Sequence, residues 1–471
     1  KGECMMDERF SLRGRSIRGL LLLIFGLGVS LLWAQEPANE DPLRITLREC
    51  VERGIAVSPQ IDEADAGVLQ NRARLETAER RRWPSFELGG GYTRLSEVEN
   101  GEITIPSAGT LTLPSADTDS VSVHAAAVQP IFTGFEIEAG IRTIEELLKK
   151  ARLTREHSLR EVRYSIEQAY WNFVNASASV EVVSKGVERA ESLLQDVRRL
   201  FAQGMATRED VLRMEMNREQ ALLRKLEAGH MHQLAMMELN LLIGEEPGRQ
   251  LDPVYRFDPD SDIRGEAWYE DADYRQILSR AAAERPELRL IEIQKEIQAL
   301  EKKKISAGWW PKISLQGQVQ YANPHPRQFP PEDQFILSWQ FGVMGTISIT
   351  SLKTAGPELE RIDGVFQELD SRRETLIKTI SLQIKRDLLE IEKSRQLLEA
   401  SATILAQARE NYDIVYSKFR SGSAVNTDLL SAQQELLQAQ LERTRAYTAL
   451  RRAESQLVFD AGYDVGYGDA E

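Results

Sequence analysis

Between positions 162 and 201 the apolar residues recur at alternating steps of four and three. Val162, Ile166, Ala169, Phe173, Ala176, Val180, Val183, Val187, Ala190, Leu194, Val197 and Phe201 all fall on the pattern. An unbroken heptad seam of this kind belongs to helices that lie against other helices along their whole length, not to a helix resting on a globular core. At 1.5 Å per residue the seam alone spans about 60 Å, more than a small domain is wide. It ends in Phe201-Ala202-Gln203-Gly204-Met205-Ala206-Thr207-Arg208-Glu209-Asp210. There a glycine can stop one helix and a threonine can cap the next, so a helical hairpin is predicted.

The 471 residues carry a formal charge of −14, which argues against nucleic acid as a partner. Arg9, Arg13, Arg15 and Arg18 precede an uncharged run over 19–33 and then Ala34-Gln35, the order of an export signal over 1–34. The run falls short of the roughly 20 residues a membrane helix needs, and nothing after it approaches that length. If the mature chain enters a membrane, it does so by strands. Cys4 precedes the predicted cleavage, leaving Cys50 without a partner for an internal disulfide.

The chain repeats itself. Pro59 and Pro84 recur as Pro286 and Pro311, 227 positions on in each case, and Gly204, Asp210 and Gly244 recur as Gly422, Asp428 and Gly462, 218 positions on. The difference places a nine-residue deletion in the second copy, in or near its strands. Each copy has the same order: a helix (43–82 or 286–308) ending before Trp-Pro, a strand pair (about 84–132 or 311–350), then a long helical hairpin. The predicted divisions are 35–244 for the first copy, 245–285 for an acidic connector of mixed structure, 286–462 for the second copy and 463–471 for a tail.

In the strand regions the period changes from seven to two. Ile313, Leu315, Gly317, Val319 and Tyr321 alternate with Ser314, Gln316, Gln318 and Gln320; Leu337 through Ile349 alternates in the same way, and 86–95 and 120–132 do so more weakly. Such strands fit either the outer layer of a soluble sheet or a barrel with lipid outside and water within. Export, the interruption of very long helices, and Tyr92, Tyr321, Trp309 and Trp310 near the strand ends favour the barrel. Four strands cannot close alone, because an open edge in lipid leaves backbone groups unpaired. At least two chains are therefore required.

These residues resemble the TolC family of outer-membrane efflux and export proteins over nearly the whole mature length. The resemblance rests on Thr46-Leu47 with Ser58-Pro59, Trp83-Pro84-Ser85, Val128-Gln129-Pro130-Ile131-Phe132-Thr133-Gly134, Ala169-Tyr170-Trp171, both Gly-x5-Asp turns, Leu242-Ile243-Gly244, and the run from Tyr416 to Gln433. It implies a mixed α and β membrane protein, a homotrimer in which each chain gives four strands to a 12-stranded β-barrel in outer-membrane lipid, continued by a long α-helical coiled-coil barrel across the periplasm. It also implies a periplasmic adaptor at the helix tips (Gly204, Met205, Ala206 and Thr207; Gly422, Ser423, Ala424 and Val425) and an inner-membrane pump of the RND, ABC or MFS type. The family's acidic mouth corresponds to Asp428, while its next acidic position is Ser431 here. The Gln-Pro of the first strand-to-helix junction is missing from the second copy, so a differently shaped barrel exit is expected there.

Asp428, Ser431 and Asp210 are thus candidate constriction residues. Asp210 has a plainer role available, as a first-turn carboxylate with Thr207 as its cap. His230 and His232 stand two apart on a helix and cannot share a metal; Met236-Met237 and Trp309-Trp310 read as packing or interfacial residues. No nucleophile, phosphate-loop or zinc motif is present, so neither an enzyme nor a cofactor is expected. Two readings remain: a gated duct driven by a pump, and a non-conducting coiled-coil spacer anchored by a barrel. Polar inner strand faces favour the duct.

Overall fold

The computed structural model describes residues 41–96, 102–106, 109–112, 118–255, 274–328 and 332–462. The export signal, most of the first inter-strand loop, the middle of the connector and the tail lie outside them.

The chain enters through strand β1 (Leu43–Ile45) and helices α1 (Leu47–Val57) and α2 (Pro59–Glu79), closed by a 3-10 turn over Arg80–Arg82. Strand β2 (Ser85–Arg94), a small hairpin of β3 (Glu102–Ile105) and β4 (Gly109–Thr112), and strand β5 (Asp119–Phe132) lead into α3 (Glu136–Ala202) and α4 (Arg208–Ile243). The connector holds β6 (Leu251–Pro253) and α5 (Tyr274–Glu284). Then α6 (Pro286–Ala307), β7 (Lys312–Asn323), β8 (Ile336–Thr346), α7 (Ile349–Arg420) and α8 (Asn426–Asp460) repeat the order. No described helix is long and apolar enough to cross a membrane.

Three expectations need correction. The predicted helix over 43–82 is a strand and two helices. Pro59 starts α2 as its first residue and keeps Ser58 extended, while Leu43–Ile45 pairs in parallel with Leu251–Pro253. The return strand of copy two ends at Thr346, before Ile347 and Ile349. The Ser348 hydroxyl accepts from the Ser351 N–H at 3.3 Å and starts α7 there. Phe201, the last seam position, is 43% exposed because the helix is already turning.

The loop between the strands shortens by twelve, from 24 positions, 95–118, to 12, 324–335, which more than covers the nine residues missing from copy two; the longer α7 makes up part of the difference.

The long helices outrun the legible seam. α3 has 67 residues and α7 has 72, each about 100 Å long. Side by side the helices make a wall. Away from the sheet its order is α4, α3, α8, α7; nearer the sheet α2 and α6 take the places of α4 and α8. Two apolar clusters sit where these levels meet. One gathers Ile45, Cys50, Ile166, Phe173 and Ile243, the other Ile277, Ile384, Tyr447 and Leu457, and Trp171 packs against both. Its ring meets Tyr170 edge-on at 5.4 Å and Tyr447 at 6.0 Å.

The main sheet is antiparallel in the order β2-β5-β7-β8. A bulge between Pro130 and Phe132 ends the ladder of β5, and the chain then turns through Gly134 (φ +66°) and Phe135 (φ +71°) into α3. Copy two makes the same passage through extended Ser348, so the two exits do differ in shape. At Gly134 a Cβ would lie 2.6 Å from the Ala307 carbonyl oxygen and 3.0 Å from Trp310 Cβ. Gly134→Ala is therefore expected to cost about 2 kcal/mol or more, through both the left-handed backbone and the clash, whereas Gly140→Ala, with nothing within 4 Å, is neutral or mildly stabilising. Melting temperatures of the two variants in detergent check this.

Candidate functional site

At the ends of both hairpins the same local chemistry is written twice. Gly204 and Gly422 each take φ +76°. In the first tip Gly204 N–H donates to the Phe201 carbonyl at 2.9 Å and Met205 N–H to that of Leu200 at 2.8 Å. In the second, Gly422 donates to Phe419 at 3.0 Å and Ser423 to Lys418 at 2.8 Å. This is the Schellman closure of a helix, which needs a residue without a Cβ at the left-handed position. The next helix starts from an extended residue in both tips, Thr207 (φ −92°, ψ 164°) and Val425 (φ −93°, ψ 158°).

There the copies part. Thr207 Oγ1 accepts from Asp210 N–H at 3.2 Å, and Asp210 Oδ2 accepts from Thr207 N–H at 2.9 Å, a reciprocal capping box. The Thr207 amide, then its hydroxyl, hold the Asp210 carboxyl below the usual aspartate range. Val425 has no side chain to donate or accept, so Asp428 stands in the first turn of α8 without that partner, exposed. The two tips share one apolar cluster of Leu193, Leu194, Val197, Val211, Met214, Phe419 and Leu429, with Ala206 and Ala424 against it. Asn426 reaches the Asp210 side chain, and Tyr416 Oη donates to Asp196 Oδ2 at 3.2 Å. Met205 and Val425 project outward, 75% and 61% exposed.

Ser431 is exposed on the same side of α8 as Asp428. That stripe continues at heptad spacing through Glu435, Gln438, Glu442 and Arg445, about 100° around the helix from the buried stripe of Leu429, Ala432, Leu436 and Ala439. The sequence reading stopped at Ser431 and missed Glu435, one turn further along. Asn411 Nδ2 donates to its Oε2 at 3.2 Å. The signal was available in the heptad that Asp428 begins.

Cross-strand registers sort every sheet residue to a face. Phe86, Ala127, Gly317 and Phe341 form one row, Leu88, Ala125, Val319 and Trp339 the next, and Val123, Tyr321 and Leu337 a third. This face is apolar and open: Phe86 is 81% exposed and Trp339 72%. The opposite face carries Glu87, Gln318 and Gln340 in one row and His124, Gln320 and Ser338 in another. Gln340 donates to Gln318 at 2.7 Å and accepts from Arg327 Nη2 at 2.7 Å.

The four predicted interface aromatics fall at two levels. Tyr92, whose hydroxyl donates to Asp119 at 2.8 Å, and Tyr321, stacked on Phe335 at 5.0 Å, lie at the loop ends of their strands. Trp309 and Trp310 lie at the helix end, where Trp310 meets Phe132 edge-on at 6.2 Å. Trp83, 73% exposed in copy one, belongs with them and was not singled out from the sequence. From Trp310 to Tyr321 is about 36 Å along a strand, or about 28 Å of height at a barrel strand's tilt of roughly 40°. A membrane's apolar band is about that tall.

The remaining candidates are packing residues. His232 lies against Phe173 at 5.2 Å and burial lowers its pKa, while His230 is exposed. Met236 is buried and Met237 is not. Burial, then the charge of Glu49, push the Cys50 thiol up to about 12, which leaves it unreactive. Among the described residues no group of three His, Cys, Asp or Glu side chains converges as a metal site requires.

Solved structures with this fold include VceC, an outer membrane protein of Vibrio cholerae, at 16% identity, TM-score 0.70, 88% of this chain and 96% of that one. The outer membrane channel CmeC of Campylobacter jejuni is similar at 15% identity, TM-score 0.69, 88% of this chain and 85% of that one. The open state of the outer membrane channel MtrE of Neisseria gonorrhoeae gives 16%, 0.70, 88% and 89%. Among curated proteins none matches by sequence. The sequence model of the family described as outer membrane efflux protein matches residues 51–245 and 277–462, one span on each copy. Its two long hairpins and two-faced sheet accord with that match, and the chain belongs to the outer membrane efflux protein family, a family of channels rather than enzymes.

Proposed function

We propose that this chain is the exit duct of an efflux or type I secretion system, seated in the outer membrane and reaching into the periplasm. Three copies close a tube through which small molecules or polypeptides leave. A periplasmic adaptor docks on the helix tips and couples the tube to an inner-membrane pump.

The observation that carries this reading is the pair of open edges. Within the chain the sheet ends on β2 and β8. In lipid an unpaired edge strand is costly, since each orphaned backbone group forfeits several kcal/mol, of order 5. Three copies of a four-stranded sheet supply twelve strands, within the roughly eight to 26 of known single-chain barrels. The helical wall ends in the same way. Its edge helices carry exposed apolar stripes: Leu212, Met216, Leu223, Leu234 and Leu241 on α4, and Leu382, Leu389, Leu397 and Ile404 on α7. Placing α4 of one copy against α7 of the next buries both stripes and joins the β edges in one operation.

In such a tube the exposed stripe of α8 faces the axis. Asp428 is then nearest the mouth, followed by Ser431 and Glu435. Three copies of Asp428 and of Glu435 would repel one another and draw cations, as suits a mouth that opens when the helices separate. Asp210, held in its capping box, keeps the first tip rigid beside it.

Single-channel recording of the purified oligomer in a planar bilayer tests the duct. Small conductance that rises with Asp428→Ala is expected. Conductance indifferent to the substitution moves the constriction elsewhere, and none from a verified inserted trimer favours the non-conducting anchor.

The tips allow a second check. Val425→Thr places a hydroxyl where Thr207 has one and lets Asp428 cap its own helix, a gain of about 1 kcal/mol in the second tip. Thr207→Ala is expected to cost the first tip about as much. Because the folded pKa of Asp210 lies below its unfolded value, its contribution is present above the usual aspartate range and lost as pH falls through the lowered value. Amide protection of the first tip, corrected for intrinsic exchange, should therefore fall in acid in the wild type and depend less on pH in Thr207→Ala.

A further inference from the structure

Where α6, α7 and α8 meet beside α3, the chain buries an arginine and two aspartates. Arg285 is 4% exposed, Asp387 6% and Asp460 5%. Arg285 Nη2 donates to Asp460 Oδ1 at 2.8 Å, its Nη1 donates to Gln383 Oε1 at 2.8 Å, and Gln456 Nε2 donates to Asp460 Oδ2 at 2.7 Å. Both oxygens of Asp460 thus have a donor. Asp387 faces the Asp460 carboxyl, and its own Oδ2 is buried with no hydrogen-bond partner among the described residues.

The duplication supplies a control. Displaced by the repeat offsets, Arg285, Asp387 and Asp460 fall on Ser58, Ala169 and Leu242. Ala169 is buried in an apolar cluster and Leu242 packs against it. The same junction therefore forms in copy one without a charge, and the architecture does not require the cluster. A buried charge lacking its own partner is costly, so its presence in one copy calls for a role.

We propose that Arg285, Asp387 and Asp460 form a proton-controlled latch, in which a proton on Asp387 bridges to Asp460 and holds α7, α8 and the start of α6 together. With the proton in place, the Asp387 O–H donates to an oxygen of Asp460, and two carboxyls and one guanidinium make a neutral set. When the proton leaves to solvent, two carboxylates oppose each other across one arginine and Asp387 keeps a charged, unpartnered oxygen. The contacts between α7 and α8 then slacken.

The surroundings fix the direction. Burial first, then the charge of Asp460 and the contact between the two carboxyls, push Asp387 up to about 7 against the pull of Arg285 and Arg386. Facing the cluster are Tyr164 and Arg160 from α3, Glu287 from α6 and Arg452 from α8. Tyr274 from α5 lies under Lys385, with its hydroxyl at Ser381. Arg160 is engaged by the Gly462 carbonyl at 3.2 Å, and Glu287 lies 3.8 Å from Arg285. The folded state holds the Asp387 proton more tightly than an opened chain does. Its unfavourable contribution therefore grows as pH rises from the ordinary aspartate range and is complete above about 7.

The latch is independent of whether the tube conducts, and hydrogen exchange on the intact detergent-solubilised oligomer reads it. After correction for intrinsic exchange, protection over 380–391 and 453–460 is expected to fall about tenfold between pH 6 and 8.5, while α4 over 236–243, packed in the copy-one cluster, stays constant. In Asp387→Asn, which keeps a neutral donor toward Asp460, both segments should stay protected across the range. Asp460→Asn, which removes the opposing charge, should shift the transition to lower pH. A wild-type profile flat from pH 6 to 8.5, or the same fall in Asp387→Asn, overturns the proposal, and the wild-type profile decides even if a variant does not assemble.

Discussion

A strand whose outer face is apolar must pair every backbone N–H and C=O with another strand, because neither lipid nor side chains will do it. Much else in this chain follows from that demand. Four strands are too few to close, so within the chain the sheet ends on two open edges, β2 and β8. The helical wall also ends in two edges, α4 and α7, this time apolar rather than polar. In the assembly proposed above one symmetry operation satisfies both kinds of edge. Helix and sheet would otherwise need separate partners.

Period was the legible part of this molecule. The step from seven to two between Trp310 and Ile313, and its echo 227 positions earlier, fixed where helix gives way to strand and which side chains share a face. Period is silent over three residues, so Leu43–Ile45 pairing with Leu251–Pro253 could not be read. It also misleads where two periods overlap. Ile347 and Ile349 continue the alternation of β8, yet Ser348 caps a helix between them. The exposed stripe of α8 was read in part for a related reason. Attention to three residues beyond Asp428 found Ser431, while the heptad that both belong to leads on to Glu435 and Glu442. The buried arginine and aspartates left no trace at all, since a charged residue at a seam position looks in sequence like any solvated helix face.

Because the fold is written twice, each copy shows which features of the other are optional. The glycine closures at 204 and 422 are the same to within their hydrogen bonds, and so belong to the hairpin itself. The threonine cap, the left-handed pair at Gly134 and Phe135, and the buried ion cluster each occur in one copy. Copy one is capped at its tip and anchored to the end of α6 at its exit. Copy two has neither device and carries polar groups in its seam.

The polar groups of that seam lie along α7 and α8. At three successive heptads α7 buries Asp387, Ser394 and Ser401, where α3 at the matching positions buries Ala169, Ala176 and Val183. Across from them α8 buries Arg443, whose Nη1 donates to the Leu398 carbonyl at 2.5 Å, and Thr444 and Thr448, whose hydroxyls bond within their own helix. Small polar residues on one helix make room for a long one on the other, but where Ser401 stands in place of copy one's Val183 the apolar area removed from water is less, by of order 1 kcal/mol for each methyl lost.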